Sequence, residues 1–219
     1  KEITKNPLKV ITDEKEYLTK TIIIATGTKY NTLNLDNEKD FIGNGISFCT
    51  TCDGAFYKDK TVAVVGGSFK ALIDAIYLSD IAQKVYLIVR KNYLKGKKVV
   101  IEELQEKKNV EILYETEVVE YLGSDSITGI VIKEKDKKRT LELDGIFLAI
   151  GQIPETKEFT NIDLDENNYI KATENCKTNV PGIFVAGDVR SKNIRQLTTS
   201  VSDGTIAAMN VIQFLKEEI

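Results

Sequence analysis

The stretch Cys49-Thr50-Thr51-Cys52-Asp53-Gly54 lies just ahead of Thr61-Val62-Ala63-Val64-Val65-Gly66-Gly67, an apolar segment that ends in two glycines. The apolar segment predicts a buried strand, and the glycines predict a tight turn. Two cysteines three positions apart can close as a disulfide and reopen as two thiols, and exchange with a partner then passes through a mixed disulfide. Asp53 is the nearest proton carrier in a chain without histidine. The stretch therefore predicts a redox-active dithiol on an α/β scaffold.

Two other uses of the cysteine pair are a zinc half-site and a structural disulfide. Zinc normally takes four Cys or His ligands, and the remaining soft ligand is the distant Cys176. Structural disulfides are rare inside cells. The sequence shows no apolar segment typical of a secretion signal, so we expect a cytoplasmic protein. Cys176 is predicted to be a solvent-side or half-buried free thiol.

The composition is that of an ordinary globular protein, with 42% hydrophobic and 29% charged residues among 219. This length allows one large domain or two small ones. The formal net charge of −3 offers no case for a nucleic-acid partner. No apolar run approaches the roughly 20 residues that cross a bilayer, so no membrane partner is expected.

Apolar segments and glycine turns alternate along the chain. Predicted strands at 61–65 and 84–89 flank a helix at 70–79, which makes a β-α-β unit with a parallel pair. The apolar run at 21–25 predicts a fully buried strand, and the polar, turn-rich residues 30–45 predict a link between domains. The other predicted strands lie at 9–12, 110–114, 117–122, 127–134, 139–143, 145–150 and 182–188, and the other helices at 99–107 and 196–215.

The glycine turn only partly matches a dinucleotide fingerprint. Gly-x-Gly-x-x-Gly/Ala needs its middle glycine so that the backbone can approach the pyrophosphate. Gly66, Ser68 and Ala71 occupy the three positions here, so that glycine is missing. The sequence also has Arg90-Lys91 where an acid for the ribose hydroxyl is expected. We therefore expect a Rossmann-shaped unit that binds pyridine nucleotides weakly.

Five motifs in a fixed order resemble those of the low-molecular-weight thioredoxin reductases, from about Ile22 to the C-terminus. They are Ile24-Ala25-Thr26-Gly27, the Cys49–Gly54 hexapeptide, Gly151-Gln152-Ile153-Pro154-Glu155-Thr156, Val180 to Val189, and Arg195-Gln196. The resemblance implies an α/β fold of two Rossmann-like (three-layer ββα) dinucleotide-binding-type domains. Residues 1–31 and 155–219 would form part of a discontinuous FAD-binding domain. Residues 32–154 would form the pyridine-nucleotide-binding-like domain that carries the CxxC.

The activity implied by the resemblance is that of a flavoprotein thioredoxin-disulfide reductase. Electrons would pass from FAD through the dithiol to thioredoxin or a thioredoxin-like protein. Cys52 would lie nearest the flavin as the charge-transfer thiolate, Cys49 would attack the partner's disulfide, and Asp53 would handle the proton. The family also implies a homodimer and a domain rotation, with hinges near 30–45 and 154–159. The implied FAD-contacting residues are Ala25, Thr26, Gly27, Gly187, Asp188, Val189, Arg195, Gln196 and Leu197.

Two features depart from the family's pattern. Its N-terminal Gly-x-Gly-x-x-Gly should lie before residue 1, so FAD is expected in the full-length parent and these 219 residues should hold it poorly. The segment from Val89 to Lys95 replaces the His-Arg-Arg-x-x-x-Arg that pairs with the 2′-phosphate of NADPH, and its lysines lose bidentate contacts. These losses resemble the branch that takes electrons from ferredoxin. An ordinary NADPH-dependent thioredoxin reductase and a redox-inert or sensing module of the same fold stay open as alternatives.

Overall fold

The computed structural model describes residues 3–5, 8–159 and 161–217. The chain forms two compact units, the first made of Lys1–Lys29 with Gln152–Ile219 and the second of Tyr30–Gly151. The strands are β1 (Ile3–Lys5), β2 (Leu8–Ile11), β3 (Glu16–Thr19), β4 (Ile22–Ile24), β5 (Thr28–Tyr30), β6 (Ile46–Ser47), β7 (Thr61–Val65), β8 (Lys84–Val89), β9 (Val110–Tyr114), β10 (Thr116–Gly123), β11 (Ile127–Glu134), β12 (Lys137–Glu142), β13 (Gly145–Leu148), β14 (Gln152–Pro154) and β15 (Ile183–Val185). The helices are α1 (Glu38–Phe41), α2 (Thr50–Asp53), α3 (Phe69–Ser79), α4 (Lys98–Glu106) and α5 (Leu197–Glu217).

The second unit is built on a parallel sheet with the strand order β6-β13-β7-β8-β9. Strands β7 and β8 pair in parallel from Thr61 opposite Lys84 to Val65 opposite Ile88. Helix α3 packs on one face of this sheet, where Leu72 and Leu78 join a core with Val64 and Leu87. The predicted β-α-β unit is confirmed.

The antiparallel meander β10-β11-β12 supplies the unit's third layer. Alternation along β11 buries Ile130 and Ile132 fully, and both lie in one core cluster with Ile146 of the parallel sheet. The second unit thus has the helix, parallel sheet and meander layers that a three-layer Rossmann-like domain requires.

Residues 30–45, predicted as a link between domains, belong to the packed part of the second unit. Phe41 is 3% exposed and lies in the same core cluster as the meander. The buried carboxylate of Glu38 explains this: it accepts the N–H groups of Leu33 and Asn34 at 2.8 and 2.7 Å and the hydroxyl of Tyr121 at 2.8 Å. The hydrogen bonds of Glu38 therefore hold this polar, turn-rich segment against the meander.

The first unit contains the parallel pair β4 and β15, the antiparallel meander β1-β2-β3 and the long helix α5. The prediction that the strand at 21–25 is fully buried is wrong. Ile24 is 3% exposed, but Ile23 is 42% exposed. Successive side chains of a strand point to opposite faces, and the face that carries Ile23 is open in the part of the chain that the structure describes.

Cys176 is fully buried, which corrects the prediction of a solvent-side or half-buried thiol. Its carbonyl accepts the N–H of Val185 at 2.9 Å, which holds the residue against β15. Its side chain packs with Phe184, Ala186 and Ala207 of α5. None of the described helices, α5 included, is both long and apolar enough to span a membrane.

Candidate active site

Cys49 and Cys52 form a disulfide whose Cα atoms are 5.3 Å apart. Cys49 caps the N-terminus of α2, and its sulfur accepts the N–H of Cys52 at 3.2 Å. Its carbonyl also accepts the N–H of Asp53 at 3.1 Å. These bonds satisfy donors of the first turn, so the short helix and the disulfide form one local unit.

The disulfide is accessible from outside. Cys49 is half-buried, whereas Cys52 and its neighbour Thr51 are exposed. Phe56, which follows in the next turn, is 74% exposed. Tyr57 packs edge-on against Phe147, with ring centroids 5.2 Å apart.

Asp53 is oriented by a buried serine that the sequence analysis missed. The Ser47 hydroxyl donates to Asp53 Oδ2 at 2.6 Å and accepts the N–H of Cys49 at 3.1 Å. Ser47 ends β6 and is 5% exposed, and a serine two residues ahead of the first cysteine was the available signal. Burial, followed by the charges of Asp53 and Asp144, raises the pKa of Tyr57. Tyr57 therefore stays protonated at neutral pH.

The glycine turn after β7 is closed by packing. A Cβ on Gly66, whose φ is +144°, would stand 2.6 Å from the carbonyl oxygen of Ala149. The carbonyl of Gly67 accepts the N–H of Lys95 at 2.7 Å, which holds the segment after β8 against the turn. Ser68 lies at the N-cap of α3, where a nucleotide's phosphates would approach.

The segment after β8 carries exposed basic side chains, those of Arg90, Lys91 and Lys95. The Lys91 ammonium donates to the Tyr93 hydroxyl at 2.7 Å and lies 5.0 Å from the centre of its ring. This hydrogen bond and the Lys91 charge lower the pKa of Tyr93. The Lys91 ammonium therefore already interacts with Tyr93, and a phosphate would compete with that interaction.

In the first unit, two predicted FAD-contacting segments meet at one edge. Because β4 and β15 are parallel, Ala25-Thr26-Gly27 and Gly187-Asp188-Val189 follow neighbouring strand ends. Ligands of open α/β sheets bind at this carboxyl edge. Gly27 and Gly187 have φ angles of +69° and +78°, a conformation that favours glycine. The Thr26 hydroxyl donates to the carbonyl of Glu155 at 2.8 Å.

The third predicted segment, 195–197, is tied to the second. Arg195 Nε donates to the carbonyl of Asp188 at 3.1 Å, and its guanidinium lies 3.7 Å from the ring centre of Tyr169. Asp188 Oδ1 accepts the hydroxyl of Ser200 at 3.0 Å. Leu197 begins α5 and is 80% exposed. The N–H of Gln196, just before it, donates to Thr199 Oγ1 at 3.1 Å.

These residues fit one side of a dinucleotide site. Two glycine turns leave the backbone open at the sheet edge, and a half-buried carboxylate, Asp188, stands beside them. Thr26, Asp188 and Arg195 would hold polar groups of FAD there. Val189 is fully buried, so it could contact a ligand through its backbone and not through its side chain.

The buried carboxylate of Asp203 supports this edge and was missed in the sequence. It is 4% exposed and accepts the N–H of Gly187 at 3.1 Å, Arg190 Nη2 at 2.8 Å and Lys192 Nζ at 3.0 Å. Burial alone would raise the pKa of Asp203, but the hydrogen bonds from Arg190 and Lys192 outweigh it, so the pKa lies below its usual range. The available signal was helical spacing, since Ser200, Asp203 and Ala207 share one face of α5.

Comparison with known proteins identifies the family. Residues 1–204 match the pyridine nucleotide-disulphide oxidoreductase family. The chain is 41% identical to a 34.2 kDa protein in the rubredoxin operon of Clostridium pasteurianum, over 93% of this chain and 67% of that protein. It is 38% identical to the thioredoxin reductase of Coxiella burnetii, over 98% and 71%. The solved thioredoxin reductase of Streptococcus pyogenes MGAS5005 matches with a TM-score of 0.91 at 34% identity, over 96% and 70%.

The chain spans about two thirds of the length of the curated relatives that it matches. The matched part includes the Cys49–Cys52 disulfide. The chain therefore belongs to the pyridine nucleotide-disulphide oxidoreductases and, within them, to the flavin-dependent thioredoxin reductases.

Proposed function

We propose that the full-length protein containing this chain reduces the disulfide of thioredoxin, or of a thioredoxin-like protein, through Cys49 and Cys52. The observation that carries the proposal is an accessible disulfide at the N-terminus of α2, on a Rossmann-like unit of a thioredoxin reductase family member. FAD, when bound, supplies the electron pair that opens this disulfide. We also propose that the protein works in the cytoplasm.

The chain's own residues would then carry out thiol–disulfide exchange. The Cys49 thiolate attacks one sulfur of the partner's disulfide, which forms a mixed disulfide and releases one partner thiolate. The Cys52 thiolate attacks Cys49 of that mixed disulfide, which restores the Cys49–Cys52 disulfide and releases the second partner thiolate. The partner gains two electrons and two protons, and Asp53, oriented by Ser47 at 2.6 Å, exchanges a proton with solvent.

Serine replacements of the two cysteines test these roles separately. In the full-length flavoprotein, Cys52→Ser should abolish turnover but leave Cys49 able to trap thioredoxin as a mixed disulfide, visible on a non-reducing gel. Cys49→Ser should abolish turnover without trapping. Undiminished thioredoxin reduction by Cys52→Ser rejects the proposal.

The exposure of the two residues favours the opposite assignment, because Cys52 is exposed and Cys49 is half-buried. The assignment of Cys49 as the attacking thiol therefore rests on the family resemblance. Trapping by Cys49→Ser and not by Cys52→Ser would exchange the two roles while leaving the dithiol function intact.

We also propose that FAD binding and the dithiol belong to different parts of the chain. Residues 1–31 and 155–219 would contribute to FAD binding, and residues 32–154 would carry the dithiol, with a rotation about hinges near 30–45 and 154–159. The full-length protein would act as a homodimer. A flavin absorption band in the purified full-length protein tests the first part, and sedimentation equilibrium tests the last. Full-length protein that never carries flavin would favour a redox-inert or sensing module.

The electron donor is proposed to be ferredoxin or another reduced protein rather than NADPH. Ser68 replaces the glycine at which a pyrophosphate comes closest, and Lys91 is hydrogen bonded to Tyr93. A plant-type ferredoxin near −400 mV lies about 130 mV below thioredoxin at about −270 mV, which favours two-electron transfer by roughly 6 kcal/mol. The exposed Arg90 and Lys95 offer positive charge to an acidic protein.

Stopped-flow flavin reduction distinguishes the donors. Reduced ferredoxin should bleach the flavin band of the full-length protein rapidly, and NADPH should bleach it slowly. Ser68→Gly is the matched variant, because it restores the fingerprint glycine and should speed the NADPH reaction alone. Rapid bleaching of the unmodified protein by NADPH would overturn the preference for a protein donor.

A further inference from the structure

A buried carboxylate on α3, which the proposed dithiol chemistry does not use, lies against Thr50, the first of the two residues between the cysteines. Asp74 is 7% exposed, and its Oδ1 accepts the hydroxyl of Thr50 at 2.7 Å. Thr50 follows Cys49, begins α2 and is 3% exposed. The other carboxylate oxygen of Asp74 accepts Lys70 Nζ, one helical turn earlier on α3. A chain of contacts therefore runs from α3 to the dithiol.

This contact matters because α2 cannot hold its own position. It has four residues, and helices that short are not stable without tertiary contacts. Removing a hydrogen-bond partner from a buried carboxylate also destabilises the folded protein, because the carboxylate is then left buried and unsatisfied. The hydroxyl of Thr50 and the carboxylate of Asp74 therefore hold each other in one arrangement, and that arrangement fixes the start of the helix that carries the cysteines.

The position of Asp74 also affects the charge near the two cysteines. The ionisable groups on the elements next to the dithiol include Asp53 at the end of α2, Tyr57 in the following turn, and Lys70, Asp74 and Tyr77 on α3. Asp53 and Asp74 both disfavour a thiolate, while the ammonium of Lys70 offsets part of the Asp74 charge. The Lys70 side chain is 52% exposed, so solvent screens it and the offset is incomplete.

We propose that Asp74 is a positioning residue for the dithiol: through the Thr50 hydroxyl it holds α2 in place, and its charge, balanced by Lys70, limits how readily the reduced pair ionises. The inference rests on the proposed role of Cys49 and Cys52 as an exchanging dithiol. Removing the carboxylate charge should favour the thiolate, and removing the ammonium should disfavour it. The two changes therefore act in opposite directions, which loss of packing alone would not produce.

The test is the rate at which iodoacetamide alkylates the reduced full-length protein, followed by mass spectrometry from pH 6 to 9. At pH 7, Asp74→Asn should react about threefold faster and Lys70→Met more slowly, a size that Coulomb's law gives for a partly screened neighbouring charge. Asp80→Asn makes the same charge change at the exposed end of α3 and should leave the rate unchanged. Thr50→Val should alter the rate, and Thr50→Ser, which keeps the hydroxyl, should restore it.

Rates that do not move in Asp74→Asn and Lys70→Met, or that move in the same direction, would overturn the inference. If Asp74→Asn fails to fold, Lys70→Met and the Val and Ser pair at position 50 still decide it. Alkylation requires no flavin, donor or partner protein. A failure here is therefore distinguishable from a failure of thioredoxin reduction, which would instead reject the proposed function.

Discussion

Replacing Asp203 with Asn should cost the first unit about 3–5 kcal/mol in free energy of unfolding. The carboxylate is 4% exposed, and it accepts hydrogen bonds from Gly187, Arg190 and Lys192 at 3.1, 2.8 and 3.0 Å. Asparagine keeps an acceptor oxygen but no charge, so two largely buried cations lose their counter-charge. Removing one partner from a buried ion pair costs about 3–5 kcal/mol, a large part of the roughly 5–15 kcal/mol that holds a domain folded.

Amide hydrogen exchange measured by mass spectrometry locates this loss. Peptides that contain Gly187 and the first turns of α5 should exchange at least about 150-fold faster in Asp203→Asn, because every 1.4 kcal/mol is a factor of ten. Peptides of the second unit should exchange at the unmodified rate. Asp13→Asn, a matched change at an exposed residue of the same unit, should shift stability by less than about 0.5 kcal/mol.

The stability difference between the unmodified protein and Asp203→Asn should also depend on pH. Since the pKa of Asp203 is lowered in the folded protein, its contribution is complete above the unfolded value of about 3.9 and is lost as pH falls through the folded value. The difference between the unmodified protein and Asp203→Asn should therefore be full at pH 7 and should shrink in acid below pH 4. A cost below about 1 kcal/mol at pH 7, or a difference that does not change with pH, would refute the reasoning.

Gly145→Ala should destabilise the second unit by about 1–3 kcal/mol in urea unfolding, because its Cβ would stand 2.6 Å from Tyr57 Cζ. Gly204→Ala should stabilise the first unit by up to about 1 kcal/mol, since its Cβ would meet nothing within 4 Å on α5; equal effects of the two changes would contradict both expectations. After reduction and brief alkylation at pH 7, the native protein should gain two adducts, at Cys49 and Cys52. Burial raises the pKa of the Cys176 thiol, and a third adduct on native protein would show that this thiol is reachable.

Local sequence patterns were enough to predict most of the scaffold. Unbroken apolar runs marked β7 and β8, and the spacing of apolar residues between them marked α3, so the β-α-β unit followed without any knowledge of distant contacts. Alternation marked the meander in the same way, and its strands pair as expected. Burial was harder to predict, because an apolar run does not say which faces of a strand are covered. Ile23 was misjudged for that reason. Cys176 was misjudged because its chain neighbours Asn175 and Lys177 are polar and exposed, while its own side chain packs against α5.

The supporting residues of the candidate site had only weak local signatures, such as a serine two residues ahead of Cys49 and the helical spacing of Asp203. Ser47 ends a two-residue strand, and only the folded structure brings its hydroxyl to Asp53. Thr50 and Asp74 are 24 positions apart, and Asp203 is 16 residues from the Gly187 N–H that it accepts. Nothing in a linear pattern shows which polar residues will be buried opposite each other.

The sequence by itself determined the chemistry that this protein can offer: a dithiol beside an acid, glycine turns after buried strands, and a chain without histidine. Covalent spacing and hydrophobic periodicity act within a few residues, so they can be read along the chain. Only the tertiary structure decided which carboxylates hold the site, because the energy of a buried charge depends on the partners that folding brings to it. Asp203 gained two cations and a backbone N–H in this way, and Asp74 gained Thr50 and Lys70.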